Sequence, residues 1–79
     1  MVLDGPWVWY WDDGQLWKKE TFKDGKIDGP YVEYYKNGQL KFEGTYKDGK
    51  EEGPWVSYYE NGTVYEESTG TFKNGVKLE

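Results

Sequence analysis

Residues 46–62, YKDGKEEGPWVSYYENG, place turn signals on both sides of an aromatic-rich segment. Asp48-Gly49 and Asn61-Gly62 are dipeptides that favour tight hairpin turns, because Asn, Asp and Gly accept positive φ more readily than other residues. Between them lie Gly53-Pro54-Trp55 and the pair Tyr58-Tyr59, and aromatic residues suit the pleated surface of a strand. The stretch therefore predicts β-strands joined by short turns.

The same pattern occurs three times at a spacing of 24 residues, which indicates a repeat architecture. The predicted units are residues 4–27, 28–51 and 52–77, called units 1, 2 and 3 below, and unit 3 has two extra residues near 67–70. Leu78-Glu79 is interpreted as a possible vector scar. The shared start of each unit is Gly5-Pro6-Trp7, Gly29-Pro30-Tyr31 or Gly53-Pro54-Trp55.

Each unit carries two Asn-Gly or Asp-Gly dipeptides, which predict two-residue type I′ turns. They lie at 13–14, 24–25, 37–38, 48–49, 61–62 and 74–75. No stretch has helical periodicity. The fold is predicted to be all-β, with tandem β-hairpin repeats forming an elongated, twisted, mostly antiparallel single-layer sheet in meander order.

The turn assignment fixes which residues share a face, since a one-residue slip would exchange the two faces. It places Tyr35 opposite Leu40, Glu33 opposite Phe42 and Tyr31 opposite Gly44, and in the next hairpin Tyr46 opposite Glu51 and Gly44 opposite Gly53. The chain is expected to bend at each Gly-Pro. The first face collects Trp7, Trp9, Trp11, Leu16, Phe22, Tyr31, Tyr35, Leu40, Phe42, Tyr46, Trp55, Tyr59, Val64 and Phe72. The second collects Val8, Tyr10, Trp17, Val32, Tyr34, Val56, Tyr58 and Tyr65.

Composition limits the possible functions. The chain has 79 residues, no Cys or His, 20% aromatic residues and a net charge of −5. A chain of this length forms one small domain, and its lack of Cys and His predicts no disulfide, thiol catalysis or usual transition-metal site. The acidic charge disfavours nucleic acid and anionic membranes as partners. Localisation stays unknown; a soluble, cytoplasmic protein is slightly favoured.

The motif Tyr46-Lys-Asp-Gly49, then Gly53-Pro-Trp55, then Tyr58-Tyr59-x-Asn61-Gly62 resembles the MORN repeat in its bacterial variant form. The resemblance covers nearly the whole chain and implies β-hairpins stacked side by side into a single-layer sheet. It also implies a protein-interaction scaffold, and bacterial arrays of this variant are commonly described as antitoxin or immunity partners of toxins. Both ends look like interior positions of an array. We therefore expect a fragment of a longer array, or edges that pair with another chain.

Some aromatic residues are not required by the repeat. Trp9 stands where units 2 and 3 have Glu33 and Ser57, and Phe42 and Trp17 likewise align with charged residues in other units. Such positions are expected to be partly exposed and are candidates for partner binding. The alternative is cross-strand packing, with Trp9 over Lys18 and Trp17 on Tyr10. On the second face, the candidate binding ladder is Tyr10, Tyr34 and Tyr58; its alternative role is packing with Val8, Val32 and Val56.

The acidic pairs do not predict a catalytic or calcium site. Asp12-Asp13, Glu51-Glu52 and Glu66-Glu67 adjoin turns or alternate across a strand, whereas glycosidase carboxylates flank a cleft. Calcium loops need spaced oxygen ligands that these pairs do not supply. Without His, Cys or Arg there is also no triad or phosphate cradle. The sequence predicts a protein that is not an enzyme and has no cofactor.

The leading prediction is a scaffold that binds another protein through its aromatic face or by strand addition at an open edge. An antitoxin-like role is the specific form that the resemblance implies. The alternative is a carbohydrate-binding module, in which exposed rings stack on sugars. Membrane-surface association is a third hypothesis, disfavoured by the acidic charge.

We expect Gly38→Val to cost more stability than Trp9→Ala, because Val does not readily adopt the positive φ that the turn requires. Urea melts of the two variants and the wild type measure the difference. Equal losses, or a larger loss for Trp9→Ala, would contradict the turn assignment at Gly38.

Overall fold

The computed structural model describes residues 3–78, so Glu79 of the predicted vector scar lies outside the described residues. The chain forms one open sheet of eight antiparallel strands in the order β1-β2-β4-β5-β6-β7-β8, with β3 paired to β2. The strands are β1 Gly5–Tyr10, β2 Leu16–Lys23, β3 Lys26–Ile27, β4 Gly29–Tyr34, β5 Leu40–Lys47, β6 Lys50–Ser57, β7 Gly70–Lys73 and β8 Val76–Leu78. A short 3-10 helix, Glu66–Ser68, precedes β7.

The sheet is a single antiparallel layer in meander order, as predicted, but its outline is not elongated. Its Cα atoms extend over 39 × 39 × 10 Å, so three units give a plate as wide as it is long. A layer this thin has almost no interior. Among the described residues, the buried side chains are Tyr31, Trp55 and Ser57, and no large side chain is fully buried.

Only half of the predicted type I′ turns are confirmed. At Asp24-Gly25, Asp48-Gly49 and Asn74-Gly75 both central residues have positive φ, as type I′ requires. The other three hairpins have three-residue loops. In the second of these, the Gly38 N–H donates to the Tyr35 carbonyl and the Tyr35 N–H to the Gln39 carbonyl, while positive φ occurs at Gly38 and not at Asn37. This is a type I turn followed by a left-handed glycine.

The register away from the three-residue loops agrees with the prediction. Glu33 pairs with Phe42 and Tyr31 with Gly44, but Tyr34 rather than Tyr35 pairs with Leu40. A longer loop combined with one bulged residue gives the same distant register as a two-residue turn, because the bulge absorbs the extra position. The expected Tyr35–Leu40 pair is therefore wrong, although the predicted pairs farther from the loop hold.

A second bulge lies at Gly53-Pro54, in the middle of β6. Tyr46 pairs with Glu51 as predicted, and Thr45 pairs with Glu52. The next pair is Glu43 with Val56, so Gly44 is not opposite Gly53 as expected. A step of two residues along β5 thus corresponds to a step of four along β6. Because the two extra residues of β6 are an even number, each side chain stays on its face of the sheet. The extra length also makes room for an indole ring beside Gly44.

Gly44 is required by the close approach of Trp55. A Cβ built on Gly44 would lie 2.1 Å from Cδ2 of the Trp55 ring, well inside van der Waals contact. The Trp55 Nε1–H donates to the Thr45 carbonyl at 3.0 Å, which fixes the ring against this backbone. Trp55 therefore packs directly onto the neighbouring strand of the previous unit.

We expect Gly44→Ala to destabilise the fold by about 2–3 kcal/mol, because the added methyl overpacks the Trp55 ring. Chemical denaturation of Gly44→Ala, Trp55→Leu and the double variant measures this effect and its coupling. The smaller leucine side chain should relieve part of the clash, so the double variant should lose less than the two single losses combined. Additive losses would show that the ring does not meet this position.

Candidate functional site

Four tryptophans of unit 1 form a cluster on the aromatic face, and we call it the Trp patch: Trp7, Trp9, Trp11 and Trp17. The rings of Trp7 and Trp9 stack with centroids 6.3 Å apart. Trp17 packs edge-to-face with Trp9, with ring centroids 6.3 Å apart, and lies tilted against Trp11, with ring centroids 5.0 Å apart. The patch spans β1, β2 and the start of the loop between them. It is one connected indole surface.

The position of Trp17 corrects the predicted face assignment. Trp9 pairs with Lys18 and Tyr10 with Leu16, so Trp17 is the bulged residue that has no partner across the strand. A bulge redirects the side chain at the extra position. It brings Trp17 onto the face of Trp9 and Trp11, and the predicted contact with Tyr10 is wrong.

The same bulge acts in the other units. In unit 3, Tyr65 packs against Tyr59 with ring centroids 5.1 Å apart, although the two were predicted on opposite faces. In unit 2, the Lys41 ammonium lies 5.5 Å from the Tyr35 ring centroid. In each unit, therefore, the bulged residue packs on the aromatic ring that directly precedes the three-residue loop. Only in unit 1 are both partners of this contact indoles.

Charged groups frame the Trp patch. The Lys18 ammonium lies 5.7 Å from the Trp9 ring centroid and 4.6 Å from that of Trp17, which confirms the predicted packing of Trp9 with Lys18. The Trp9 Nε1–H donates to Oε2 of Glu20 at 2.7 Å. The other carboxylate oxygen of Glu20 is 4.0 Å from the Lys18 ammonium. These contacts hold the orientation of the Trp9 ring while leaving much of its surface accessible.

Two members of the Trp patch are more exposed than the side chains at the equivalent positions of the other units. Trp7 is 40% exposed and Trp9 is 42% exposed. Tyr31 and Trp55, which occupy the place of Trp7 in units 2 and 3, are only 8% and 6% exposed. Trp55 is covered because rings of unit 2 contact it, including that of Tyr46, whose centroid lies 4.9 Å from the Trp55 ring centroid. Trp7 has no such neighbour among residues 3–78.

Units 2 and 3 carry the main ring cluster of the aromatic face. Its members are Tyr31, Phe42, Tyr46, Trp55 and Phe72. Phe42 stacks on Tyr31 with an interplanar angle of 11° and centroids 5.4 Å apart, so this candidate is half-buried within the cluster. The structure thus separates Phe42 from Trp9 and Trp17, which belong to the Trp patch.

A groove on the aromatic face adjoins this cluster, and we call it the unit 3 groove. Rings supply much of its wall, while Ser57, Ser68 and Lys77 supply polar groups. The Ser57 hydroxyl donates to the Ser68 carbonyl at 3.2 Å, and the Lys77 ammonium donates to the Glu66 carbonyl at 2.9 Å. Two polar groups of the lining, the Ser57 hydroxyl and the Lys77 ammonium, are therefore already bonded to backbone carbonyls of residues 66–68.

Tyr31 joins the ring cluster to a carboxylate. Its hydroxyl donates to Oε1 of Glu33 at 2.6 Å, and the Lys41 ammonium lies 3.6 Å from the other oxygen of that carboxylate. Burial raises the pKa of the Tyr31 phenol, and the hydrogen bond and negative charge of Glu33 raise it further. Burial also raises the pKa of Tyr46, followed by the charge of Glu51. Both hydroxyls are protonated at neutral pH.

The predicted tyrosine ladder has one member in each unit, with Tyr58 just beyond the end of β6, and its members differ in exposure. Tyr10 is 62% exposed, whereas Tyr34 and Tyr58 are half-buried. Tyr34 lines a shallow depression of the second face together with Val8 and Val32. Tyr58 instead adjoins Tyr65 and Ser68 beside the bulge of unit 3. The three tyrosines therefore do not form one uniform surface.

The Trp patch contains two residues, Trp7 and Trp11, that the sequence analysis placed on the first face but did not name as binding candidates. Unit 1 holds four of the five tryptophans of the chain, and this uneven distribution is the sequence signal that points to them. The described residues contain no group of His, Cys, Asp or Glu side chains that could hold a metal ion. None of their helices is long and apolar enough to span a membrane.

Stability should decrease above pH 10, and Tyr31 should account for part of that decrease. A tyrosine of the unfolded chain ionises near pH 10, while Tyr31 of the folded chain keeps its proton to higher pH. The stabilisation that Tyr31 contributes through its raised pKa is therefore complete below pH 10. Above pH 10 it is lost as the pH rises, by about 1.4 kcal/mol of unfolding free energy per pH unit. Tyr31→Phe should remove this part of the slope in urea melts between pH 9 and pH 11. Equal slopes for variant and wild type would contradict the assignment.

The repeats match a known family along most of the chain. The family described as MORN repeat variant matches residues 3–24, 27–48 and 51–74. No curated protein matches the sequence significantly. MORN repeats are a non-catalytic repeat type, generally found in protein or membrane interactions. With three consecutive matched repeats that coincide with the hairpins of the sheet, the chain belongs to the MORN repeat variant family.

Proposed function

We propose that the protein is a non-enzymatic scaffold that binds another protein through the Trp patch. The observation that carries this proposal is the accessibility of Trp7 and Trp9 on unit 1. In units 2 and 3, the position of Trp7 is held by Tyr31 and Trp55, and both are buried. Large exposed rings that are held in place by their neighbours are typical of protein-binding hot spots. Trp9 meets this description, because Lys18 and Glu20 fix its ring.

A second observation concerns the energetic cost of Trp11. In unit 2, the equivalent Tyr35 hydroxyl donates to the Tyr58 carbonyl of unit 3 at 2.8 Å. The Trp11 Nε1–H is buried and has no hydrogen-bond partner among the described residues. An unpaired buried donor costs about 1–3 kcal/mol. The hydrogen-bond contribution at this position therefore favours tyrosine over an indole, and the place of Trp11 in the Trp patch supports a binding role.

Charge indicates the kind of protein that would bind. The chain carries a net charge of −5, so a partner with a basic surface around its binding site would associate faster at low salt. Beside the Trp patch, the charges of Lys18 and Glu20 neutralise each other, so apolar contacts with the patch would supply the affinity. A basic toxin is one such partner, and the antitoxin-like form of the proposal rests on the family resemblance.

The test compares Trp9→Ser with Tyr10→Ser, because these neighbours on β1 present exposed rings to opposite faces. Proteins captured by the wild type would be identified, purified and titrated against both variants by calorimetry. We expect Trp9→Ser to weaken binding by about 30-fold, the effect of a hot-spot residue, and Tyr10→Ser to change it less than about threefold. Circular dichroism should show that both variants are folded.

The same variants distinguish the alternatives. Loss of binding in Tyr10→Ser with full binding in Trp9→Ser would transfer the site to the second face and overturn the proposal. A saturable change in tryptophan fluorescence with soluble oligosaccharides, abolished by Trp9→Ser, would instead support the carbohydrate-binding alternative. The stacked Trp7 and Trp9 rings give that alternative its structural basis, since a sugar face can stack on such rings.

A further inference from the structure

The two outer strands of the sheet differ in how well they are protected from pairing. β1 has six residues, GPWVWY, without a charged side chain. β8 has three residues and carries Lys77. Natural sheets protect their edges with short strands and lysines, and a long uncharged edge invites pairing with another strand. In the described sheet, β8 has this protection, whereas Pro6 is the one feature of β1 that opposes pairing.

The chain itself shows that strands equivalent to β1 accept an antiparallel partner. In β4, Val32 pairs with Lys19 of the preceding unit, and in β6 Val56 pairs with Glu43. Val8 occupies the same position in β1. The Tyr58 N–H beyond this pair donates to the Lys41 carbonyl of the preceding unit at 2.8 Å. The equivalent edge of β1 therefore has the geometry of a strand that is paired on both sides.

The end of the sheet at unit 3 does not offer the same kind of strand. The residues that would pair with a further unit correspond to Phe42 and Glu43 of β5, and in unit 3 they lie in the 3-10 helix Glu66–Ser68. The Lys77 ammonium donates to the Glu66 and Glu67 carbonyls at 2.9 and 3.3 Å. These bonds hold the helix in the place of a strand. Head-to-tail stacking of two copies is therefore disfavoured.

We propose that two copies of the chain pair through their β1 strands, antiparallel and about a two-fold axis perpendicular to the sheet. This arrangement keeps both aromatic faces on one side of a continuous sheet. Since paired residues must then point to the same side, the axis lies midway between the two copies of one residue, which stand opposite each other. An axis at Val8 sets Trp7 of one copy opposite Trp9 of the other. The inference goes beyond the proposed function because it concerns the backbone edge of β1, although the paired strands also bring the Trp7 and Trp9 rings of the two copies together.

Ring burial and charge favour this occupant. Trp55 reaches 6% exposure because the preceding unit supplies rings beside it, and Trp7 at 40% exposure has space for equivalent rings. In the two-fold pair, those rings come from the tryptophans of the second copy. No charged side chain lies between Gly5 and Trp11, so the pairing brings no like charges together on either β1 strand. Aromatic pairs directly across two strands are among the stabilising ones.

The test is the molar mass from size-exclusion chromatography with light scattering, over about 1 μM to 1 mM chain, the range of weak to moderate dimers. The wild type should approach twice its 9.3 kDa mass as concentration rises. Val8→Lys places a charge on β1 and should remain monomeric. Val76→Lys is the matched control on β8, where units 1 and 2 carry Lys26 and Lys50, and it should dimerise like the wild type.

A monomeric wild type at every concentration would overturn the inference. So would a dimer that Val76→Lys abolishes and Val8→Lys leaves intact. Should Val8→Lys fail to fold, Val8→Cys decides the question, since the chain has no other cysteine. Paired strands bring directly opposite Cα atoms to about 4.5–5.5 Å, within reach of a disulfide. Oxidised Val8→Cys should form a covalent dimer much faster than Val76→Cys, and equal rates would contradict pairing through β1.

Discussion

The fold depends on the packing of aromatic rings across neighbouring hairpins, because a sheet about 10 Å thick has no second layer to bury its apolar side. Trp55 shows how this works. Its ring lies against the backbone at Gly44, and Tyr31, Phe42, Tyr46 and Phe72 surround it. Large rings cover more area than aliphatic side chains and can lie flat on the sheet. The 20% aromatic content of an otherwise polar chain follows from this requirement.

Ring packing also explains why the units are similar without being equivalent. Rings of the preceding unit cover Trp55, whereas Tyr31 is covered by Phe42 and Tyr46 of its own unit and by Trp55 of the next. Unit 1 has no such cover among the described residues, and it is also the unit in which tryptophan replaces Glu, Ser or Lys of the other units. The same structural position therefore serves as packing in one unit and as accessible surface in another.

Unit 3 alters the repeat in a different way. Its two extra residues convert the strand end into a 3-10 helix, and Lys77 bonds the helix carbonyls. The groove beside it combines rings with serine and lysine groups, so the aromatic face is indole-rich at one end and mixed at the other. A scaffold with two different ends can present one partner surface and still leave a strand edge for pairing. The proposed protein-binding and self-pairing surfaces both include Trp7 and Trp9 of β1.

The repeat, the strands, the single-layer sheet and most of its register could be predicted from the sequence, because the turn dipeptides recur at fixed spacing and side chains alternate with a period of two. The sequence also indicated Trp9 as accessible, since its counterparts in other units are polar. It did not separate the two kinds of turn, because Asn-Gly suits a type I′ turn at Asn74 and a three-residue loop at Asn37. Only the tertiary structure decided that a bulge brings Trp17 onto Trp11, since pairing across the strands, rather than alternation along them, sets the direction of the extra residue. The exposure of Trp7 was likewise decided in three dimensions, because burial in a thin sheet depends on whether a neighbouring unit supplies a ring.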